Sequence, residues 1–319
     1  MAEQASPAVR FRQALERPEL LQIPGGFSPL IARMLESLGF EAFFMAGSQT
    51  TAHVYALPDI GLIGMREMIE AAQRITAVSD IPVLMDGDTG YGNVLNVHRT
   101  VRECAQAGVA CISLEDQEAP KRSGTSAGRR CIPEDEALGK IRAAVAARDG
   151  IGSDMLICAR TDLIGSEGGS YEAALDRSIK FVEQGGADLV WINTVETREQ
   201  MREACERIPA PVIPHYGGGP PGPSTEEMRE LGAAAMLFPG MIGNVGMQAM
   251  WEFLNDFKER GVEAQRDWGL RTRESKWGAV DYRRLLKPSP DEIQAIEADF
   301  LPQELQRDYE HTWGHGTQV

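Results

Sequence analysis

Hydrophobic residues along the chain form short continuous runs that alternate with longer stretches in which apolar residues recur every three or four positions. The short runs are rich in strand-forming residues, and near-continuous apolar character is typical of strands covered on both faces. The pattern predicts eight strands, at 20–26, 40–47, 82–88, 110–116, 154–161, 188–194, 210–216 and 233–240.

The longer stretches have the periodicity of amphipathic helices. They predict helices at 29–38, 65–77, 94–108, 133–147, 171–185, 197–208, 224–232 and 241–261. A strand followed by a helix, repeated in this way, requires parallel strands joined by crossover helices. The order therefore predicts an α/β fold of the (β/α)₈ TIM-barrel type. A doubly wound sheet is the alternative, but no GxGxxG motif opens the first unit.

Two domains follow from this pattern. Residues 1–261 would form the catalytic barrel, and 262–319 a C-terminal helical extension with further helices at 276–286 and 289–301. We expect the extension to pack on the barrel or on a neighbouring subunit.

Composition narrows the class of protein. The chain has 319 residues and is 43% hydrophobic, enough for a large core. No apolar run approaches the roughly 18 residues of a membrane span, and the first residues do not form a secretory signal. The net charge of −15 argues against nucleic acids and anionic membranes as partners. The five cysteines lack CxxC spacing and indicate reduced thiols in a cytoplasmic protein.

Polar residues end most of the predicted strands. In a barrel of this type, strand ends and the loops after them build the active site. The residues at these ends are Ser48, Asp86, Asp88, Glu115, Asp116, Arg160, Asp162, Asn193 and His215. For Asp116 and Asp162, N-capping of the next helix is an equally good explanation. Capping is a poor explanation for Asp86 and Asp88, because the DTGYGN loop separates them from the next helix.

Asp86, Asp88 and Glu115 come from two neighbouring strands, with no histidine or cysteine among them. Such an oxygen-rich set suits Mg²⁺, with Mn²⁺ as a substitute, rather than zinc. Asp59 in the segment ALPDIGLIG is a further acid that could join this site.

An arginine beside a metal implies an anionic substrate, because guanidinium offers a planar fork to a carboxylate or phosphate. Arg160 has this position, although it could also pair with Glu115; the two roles are compatible. Ser48 and the amides around Gly47 could hold a second anionic group.

Five segments of the chain resemble the isocitrate lyase and phosphoenolpyruvate mutase superfamily. They are FMAGS, LPDIGL, MDGDTGYGN, SLEDQEAPKR and CART. The resemblance covers about residues 10–290, and the combination of DGDTGYG with LED and a following lysine is highly specific. Size and layout are similar to those of the smaller members, the 2-methylisocitrate and dimethylmalate lyases.

The resemblance implies a barrel that assembles as a homotetramer, or dimer of dimers, with C-terminal helices exchanged between subunits. It implies Mg²⁺ on Asp86, supported through waters by Asp59, Asp88 and Glu115. It also implies small α-hydroxy or α-keto carboxylate substrates and a metal-stabilised enolate, the chemistry that a Lewis acid supports. It implies that Arg160 and the amides of Gly47 and Ser48 hold the substrate anions. Apart from the resemblance, we expect Phe44, Asn193 and His215 as further substrate-binding residues, and Lys121, Ser123, Arg160 and His215 as catalytic ones.

One loop departs from the family. Lyases of this family have K-K/R-C-G-H, whereas this chain has Lys121-Arg122-Ser123-Gly124-Thr125. A thiol with a pKa of about 8.5 can transfer a proton near neutrality, whereas a serine hydroxyl needs an activating base. Phosphonopyruvate mutases have asparagine at the Ser123 position. His215 is therefore a candidate proton shuttle, and Cys131 a weaker one. The segment 117–131 is predicted to be a lid.

Four functions remain open. The favoured one is Mg-dependent carbon–carbon cleavage of a small α-hydroxy or α-keto dicarboxylate, of the 2-methylisocitrate or dimethylmalate type. An oxaloacetate-type decarboxylase or hydrolase would need less acid–base assistance. Phosphonopyruvate mutase or hydrolase chemistry is a third hypothesis, and a barrel that binds metal and ligand without turnover is the fourth.

Overall fold

The computed structural model describes residues 5–309. It divides into two compact units, the first ending at Gly246 and the second beginning at Met247. The end of the predicted extension, 310–319, lies outside the described residues. The boundary predicted after residue 261 falls at the end of a helix, whereas the compact units divide within that helix.

A parallel eight-stranded sheet forms the centre of the first unit, in the order β7-β6-β5-β4-β3-β2-β1-β8. Ala234, just before β8, donates its N–H to Val212 O of β7 at 2.9 Å, which brings the two ends of the sheet together. This arrangement confirms the predicted TIM barrel. The strands are β1 (Leu21–Gly26), β2 (Phe43–Met45), β3 (Val83–Asp86), β4 (Cys111–Glu115), β5 (Leu156–Thr161), β6 (Leu189–Val195), β7 (Val212–Tyr216) and β8 (Ala235–Phe238).

Helices connect the strands of this unit, and the last of them, α10, continues into the second unit. They are α1 (Pro7–Leu15), α2 (Pro29–Ser37), α3 (Gly47–Tyr55), α4 (Met65–Thr76), α5 (Val94–Gln106), α6 (Glu134–Asp149), α7 (Tyr171–Glu183), α8 (Arg198–Arg207), α9 (Thr225–Glu230) and α10 (Met241–Arg260). Each strand and helix predicted for the barrel is present, so the apolar periodicity was sufficient to locate them.

Two helices in this unit, α1 and α3, were not predicted. Helix α3 begins at Gly47, which shortens β2 relative to the predicted 40–47. Its sequence, GSQTTAHVY, has no apolar stripe, and its buried residues are mostly polar, including Gln49, Thr50 and Thr51. Tertiary burial therefore decides this helix, and apolar periodicity could not reveal it.

The second unit contains the rest of α10, then α11 (Val262–Glu274) and α12 (Pro290–Phe300). Phe253 of α10 packs against Trp268 of α11, with ring centroids 5.5 Å apart. The helix predicted at 289–301 is present, but the one at 276–286 is wrong: only a short 3₁₀ turn, Tyr282–Leu285, occurs there. Gly278 has a φ of +71°, which interrupts a helix at that point. Among residues 5–309, no helix is long and apolar enough to span a membrane.

Candidate active site

A cavity of about 340 Å³ lies among the carboxyl ends of the barrel strands. Predicted and unpredicted residues together form its wall: Phe44, Ser48, Asp59, Asp86, Ser123, Gly124, Thr125, Arg160, Trp191, Asn193, His215, Pro239, Gly240 and Asn244. The other predicted site residues, Gly47, Asp88, Glu115 and Lys121, are buried and contact residues of this wall. The structure thus brings every predicted site residue to one place.

The acidic group around Asp86 is held by backbone amides and by one lysine. Asp86 accepts hydrogen bonds from the N–H groups of Gly47 and Asp88, each at 3.2 Å. Lys121 Nζ lies 2.6 Å from Asp59 Oδ1 and 2.8 Å from Asp88 Oδ1. A Cβ atom at Gly47 would come within 2.8 Å of Asp86 Oδ2, so the first turn of α3 reaches the carboxylate only because residue 47 is glycine.

Burial is the largest single influence on the pKa values of Asp88, Glu115 and Lys121. It raises the pKa of Asp88 to about 6, although Lys121 opposes the shift. It also raises the pKa of Glu115 well above its usual range, against the charges of Arg160 and Lys121. Burial lowers the pKa of Lys121, but Glu115 and Asp88 outweigh it, and the net shift is upward. Removing carboxylates from water penalises their charged form, and an added cation would relieve that penalty.

A hydrated Mg²⁺ fits these residues better than a fully protein-ligated ion does. Both carboxylate oxygens of Glu115 are buried, and apart from the ion pair of Oε2 with Arg160 at 3.2 Å they have no partner among the described residues. Such oxygens can accept hydrogen bonds from metal-bound waters. No group of three or more His, Cys, Asp or Glu side chains within residues 5–309 is arranged to hold a metal ion. Magnesium usually keeps several waters and needs only one or two direct carboxylates.

Arg160 is fixed on three sides at the end of β5. Asp162 contacts its Nε and Nη2 atoms at 3.0 Å each, and Glu115 lies 3.2 Å from Nη1. The guanidinium lies 4.4 Å from the centroid of the Trp191 ring, at cation–π distance. Arg160 therefore pairs with Glu115 and lines the cavity at the same time. A side chain at Gly124 would collide with Arg160, since its Cβ would lie 2.2 Å from Nη2.

His215 lies on the cavity wall with its ring centroid 6.0 Å from that of Trp191. Burial, with a further contribution from Arg160, lowers the pKa of His215 to about 4. Its Nδ1 atom is buried and has no partner among the described residues. A neutral imidazole at pH 7 suits hydrogen bonding to a ligand better than proton donation as imidazolium.

The loop after β4 carries the residues that depart from the family. Ser123 and Thr125 line the cavity, but no described residue hydrogen-bonds to Ser123 Oγ. Cys131 is not part of the wall: its Sγ lies 3.4 Å from Asp116 Oδ1, and burial, followed by Asp116, raises the pKa of the thiol. The loop therefore offers neither a thiolate nor an activated hydroxyl in this arrangement.

Capping, one explanation for Asp116 and Asp162, is wrong for both. Pro133 and Ser170 occupy the N-cap positions of α6 and α7. Asp116 instead accepts hydrogen bonds from Thr161 Oγ1 at 2.8 Å and from Arg177 at 2.9 Å. Asp162 pairs with Arg160. Neither acid is part of the cavity wall; each binds side chains on or next to the end of β5.

Several wall residues were missed. Trp191 precedes Asn193 by two positions on β6, so strand alternation placed it on the same face and could have identified it. Pro239 and Gly240 follow β8 directly, at one of the two strand ends that carried no predicted polar residue. Asn244, in the first turn of α10, had no distinguishing pattern in the sequence.

Comparison with known proteins identifies relatives along most of the chain. The family model described as phosphoenolpyruvate phosphomutase matches residues 11–257. The 2,3-dimethylmalate lyase of Eubacterium barkeri is 37% identical over 80% of this chain and 89% of its own length. The 2-methylisocitrate lyase of Aeropyrum pernix is 34% identical over 86% of this chain and 88% of its own.

Solved structures agree with this relationship. Oxaloacetate acetylhydrolase in complex with 3,3-difluorooxalacetate superimposes with a TM-score of 0.75 at 30% identity, over 83% of this chain and 94% of that chain. Phosphonopyruvate hydrolase in complex with oxalate and Mg²⁺ has a TM-score of 0.76 at 25% identity, over 93% of this chain and 100% of that chain. The predicted resemblance is confirmed.

Proposed function

Because the chain belongs to the phosphoenolpyruvate mutase and isocitrate lyase superfamily, we propose that it is a magnesium-dependent lyase. Its substrate would be a small α-hydroxy or α-keto dicarboxylate, cleaved at a carbon–carbon bond. The observation that carries this proposal is the buried carboxylate group of Asp86, Asp88 and Glu115 next to Arg160, on a cavity of about 340 Å³. Cavity size limits the substrate to a small acid.

The carboxylates of the site would bind the metal ion. Asp86 would hold Mg²⁺, and Asp59, Asp88 and Glu115 would hold its waters. Bound Mg²⁺ would supply positive charge where negative charge develops during bond cleavage.

Arg160 would bind a substrate carboxylate, in an orientation that Asp162 maintains. Ser48, Asn193 and neutral His215 would donate or accept hydrogen bonds at other oxygens. Lys121, between Asp59 and Asp88, would hold both carboxylates in place.

A specific observation favours a second candidate, cleavage of an oxaloacetate-type keto acid by decarboxylation or hydrolysis. The loop serine has no base within hydrogen-bonding distance among the described residues, so a reaction with little need for a loop acid is easier here. The likeness to oxaloacetate acetylhydrolase supports the same candidate.

A panel of substrates tests both proposals. The purified protein would be incubated with Mg²⁺ and, in turn, 2-methylisocitrate, 2,3-dimethylmalate, oxaloacetate and phosphonopyruvate, with pyruvate, glyoxylate, acetate, oxalate and phosphate as readouts. Pyruvate formed from a methylated hydroxy acid supports the lyase. Acetate with oxalate, or pyruvate with CO₂, from oxaloacetate supports the second candidate. Phosphate from phosphonopyruvate would overturn both, and no turnover with tight Mg²⁺ binding would indicate a binding barrel.

We also propose a homotetramer in the cytoplasm, with C-terminal helices exchanged between subunits. In the single chain, apolar side chains of α10 such as Trp251 and Leu254 are more than half exposed, as expected of a surface that another chain covers. All five cysteines are free, which fits a reducing compartment. Light scattering of the wild type and of Trp251→Glu tests the assembly; equal masses would contradict a role for α10.

A further inference from the structure

Arg129 is buried although it belongs to an exposed loop. It lies in residues 118–130, here called the β4 loop, and is only 5% exposed, whereas residues 125–128 are exposed. Burial of a guanidinium is costly unless its N–H groups find acceptors. Nη1 donates to Gly124 O at 2.7 Å and to Asp162 Oδ1 at 3.3 Å, and Nη2 donates to Ile164 O at 2.9 Å. Arg129 thus connects the tip of the loop with the end of β5.

Asp162 is shared between the loop and the substrate-binding arginine. The carboxylate that receives Arg129 also contacts Arg160 at 3.0 Å and accepts a hydrogen bond from Asn193. Asn193 reaches Gly124 O as well, at 2.9 Å. The position of the loop tip and the orientation of Arg160 therefore depend on the same charged centre, and Arg129 is the cation in it that the loop contributes.

The base of the β4 loop is held without Arg129. Glu118 N donates to Arg130 O at 2.8 Å, and the side chain of Gln117 makes two hydrogen bonds of 2.9 Å with the backbone of Arg122. Loss of the Arg129 side chain would leave these bonds intact. The consequence would be confined to the tip, residues 123–125, which lines the cavity.

We propose that Arg129 is a positioning residue that holds the tip of the β4 loop closed over the cavity by pairing with Asp162. The part of this proposal that concerns turnover rests on the proposed lyase function. The substrate would contact Arg160 and the metal directly, so Arg129 should affect the arrangement of the closed site more than the initial binding of substrate.

Kinetics of three variants test the proposal. Arg129→Met should lower kcat by about 10- to 100-fold, the scale expected from misplacing catalytic groups by an ångström, with less than a roughly threefold change in KM. Arg129→Lys keeps the charge beside Asp162 and should recover part of the loss. Arg130→Met is the matched control, because Arg130 is exposed and its side chain pairs with Glu167 at 2.6 Å; its kcat should equal that of the wild type.

Hydrogen exchange of the same proteins tests the loop without requiring turnover. In Arg129→Met the amides of 123–126 should exchange at least about fivefold faster than in the wild type, while those of β4 and β5 are unchanged. Arg130→Met should match the wild type, and Arg129→Lys should fall between them.

The outcomes separate the two proposals. Unchanged exchange at 123–126 in Arg129→Met would overturn the role of Arg129, whatever happens to kcat. If no substrate in the panel is turned over, the lyase proposal is contradicted. The hydrogen-exchange data would still test the role of Arg129. If Arg129→Met does not fold, Arg129→Lys against Arg130→Met decides: exchange at 123–126 that is faster only in Arg129→Lys supports the proposal, and equal exchange rejects it.

Discussion

Glu115 and Asp188 lie at opposite ends of the barrel and meet very different surroundings. Asp188, just before β6, accepts hydrogen bonds from Arg12 at 2.8 Å and from Ile157 N at 2.9 Å, and it also pairs with Arg148. Glu115, the last residue of β4, is more deeply buried, yet apart from Arg160 Nη1 at 3.2 Å its oxygens have no donor among the described residues. A carboxylate with its donors supplied stabilises the fold, whereas one left short of donors indicates a place for a ligand.

The largest expected effect is that of removing the carboxylate closest to the proposed metal. Asp86→Ala should lower kcat by about 10³-fold or more, because charge stabilisation in a water-excluded site is usually the largest catalytic contribution. Steady-state kinetics at saturating Mg²⁺ and a calorimetric Mg²⁺ titration measure this. Retained turnover or unchanged Mg²⁺ affinity would contradict the proposed metal site.

Glu115→Gln tests whether Glu115 serves metal binding rather than fold stability. The change should weaken Mg²⁺ binding by about 10- to 100-fold, the usual cost of losing an outer-sphere partner. The metal-free variant loses the ion pair with Arg160, but it also avoids the cost of burying a carboxylate, and Asp162 still pairs with Arg160; its unfolding temperature should therefore change little. Thermal unfolding with and without Mg²⁺ is the measurement. A marked loss of stability in the metal-free variant would mean that Glu115 serves the fold as Asp188 does.

Asp188→Ala should lower stability and leave Mg²⁺ binding unchanged. It leaves Arg12, Arg148 and the Ile157 N–H without their shared acceptor, and it should lower the free energy of unfolding by about 1–3 kcal/mol. Mg²⁺ affinity should stay within experimental error of the wild-type value. If metal affinity falls as much as in Glu115→Gln, the two ends of the barrel are not independent.

The pH dependence of stability tests the environment of His215. Its pKa is lowered to about 4 in the folded protein, whereas the unfolded imidazole titrates near 6.5. The unfolded state therefore binds the extra proton first, and this group lowers stability as the pH falls from about 6.5 through 4, by up to about 3 kcal/mol. His215→Asn should lack this component in unfolding measured at pH 7 and 4.5. Identical pH dependence in both proteins would mean that the imidazole is not held neutral.

The smallest expected effect is that of Ser123→Ala. With no base near its hydroxyl, Ser123 should contribute less than about threefold to kcat. Thr125→Ala is a matched control on the same loop. A collapse of kcat in Ser123→Ala alone, with KM unchanged, would show that the hydroxyl takes part in the reaction.

The fold and the candidate site were predictable to different degrees. The eight strands followed from apolar runs, and Asp86, Asp88 and Glu115 followed from strand ends, because the carboxyl ends of parallel strands meet at one rim. The roles of Asp116, Asp162 and Arg129 did not follow. Their partners are Arg177, Arg160 and Gly124, and the first lies 61 residues from Asp116 along the chain.

The sequence by itself determined the order of strands and helices, the barrel and the rim where the carboxylates collect. Local periodicity and strand alternation suffice for these features. Only the tertiary structure decided that polar α3 is a helix, that burial lowers the pKa of His215, and that one carboxylate, Asp162, contacts both Arg160 and the β4 loop. Those features depend on burial and on side chains from separate strands, which no local pattern records.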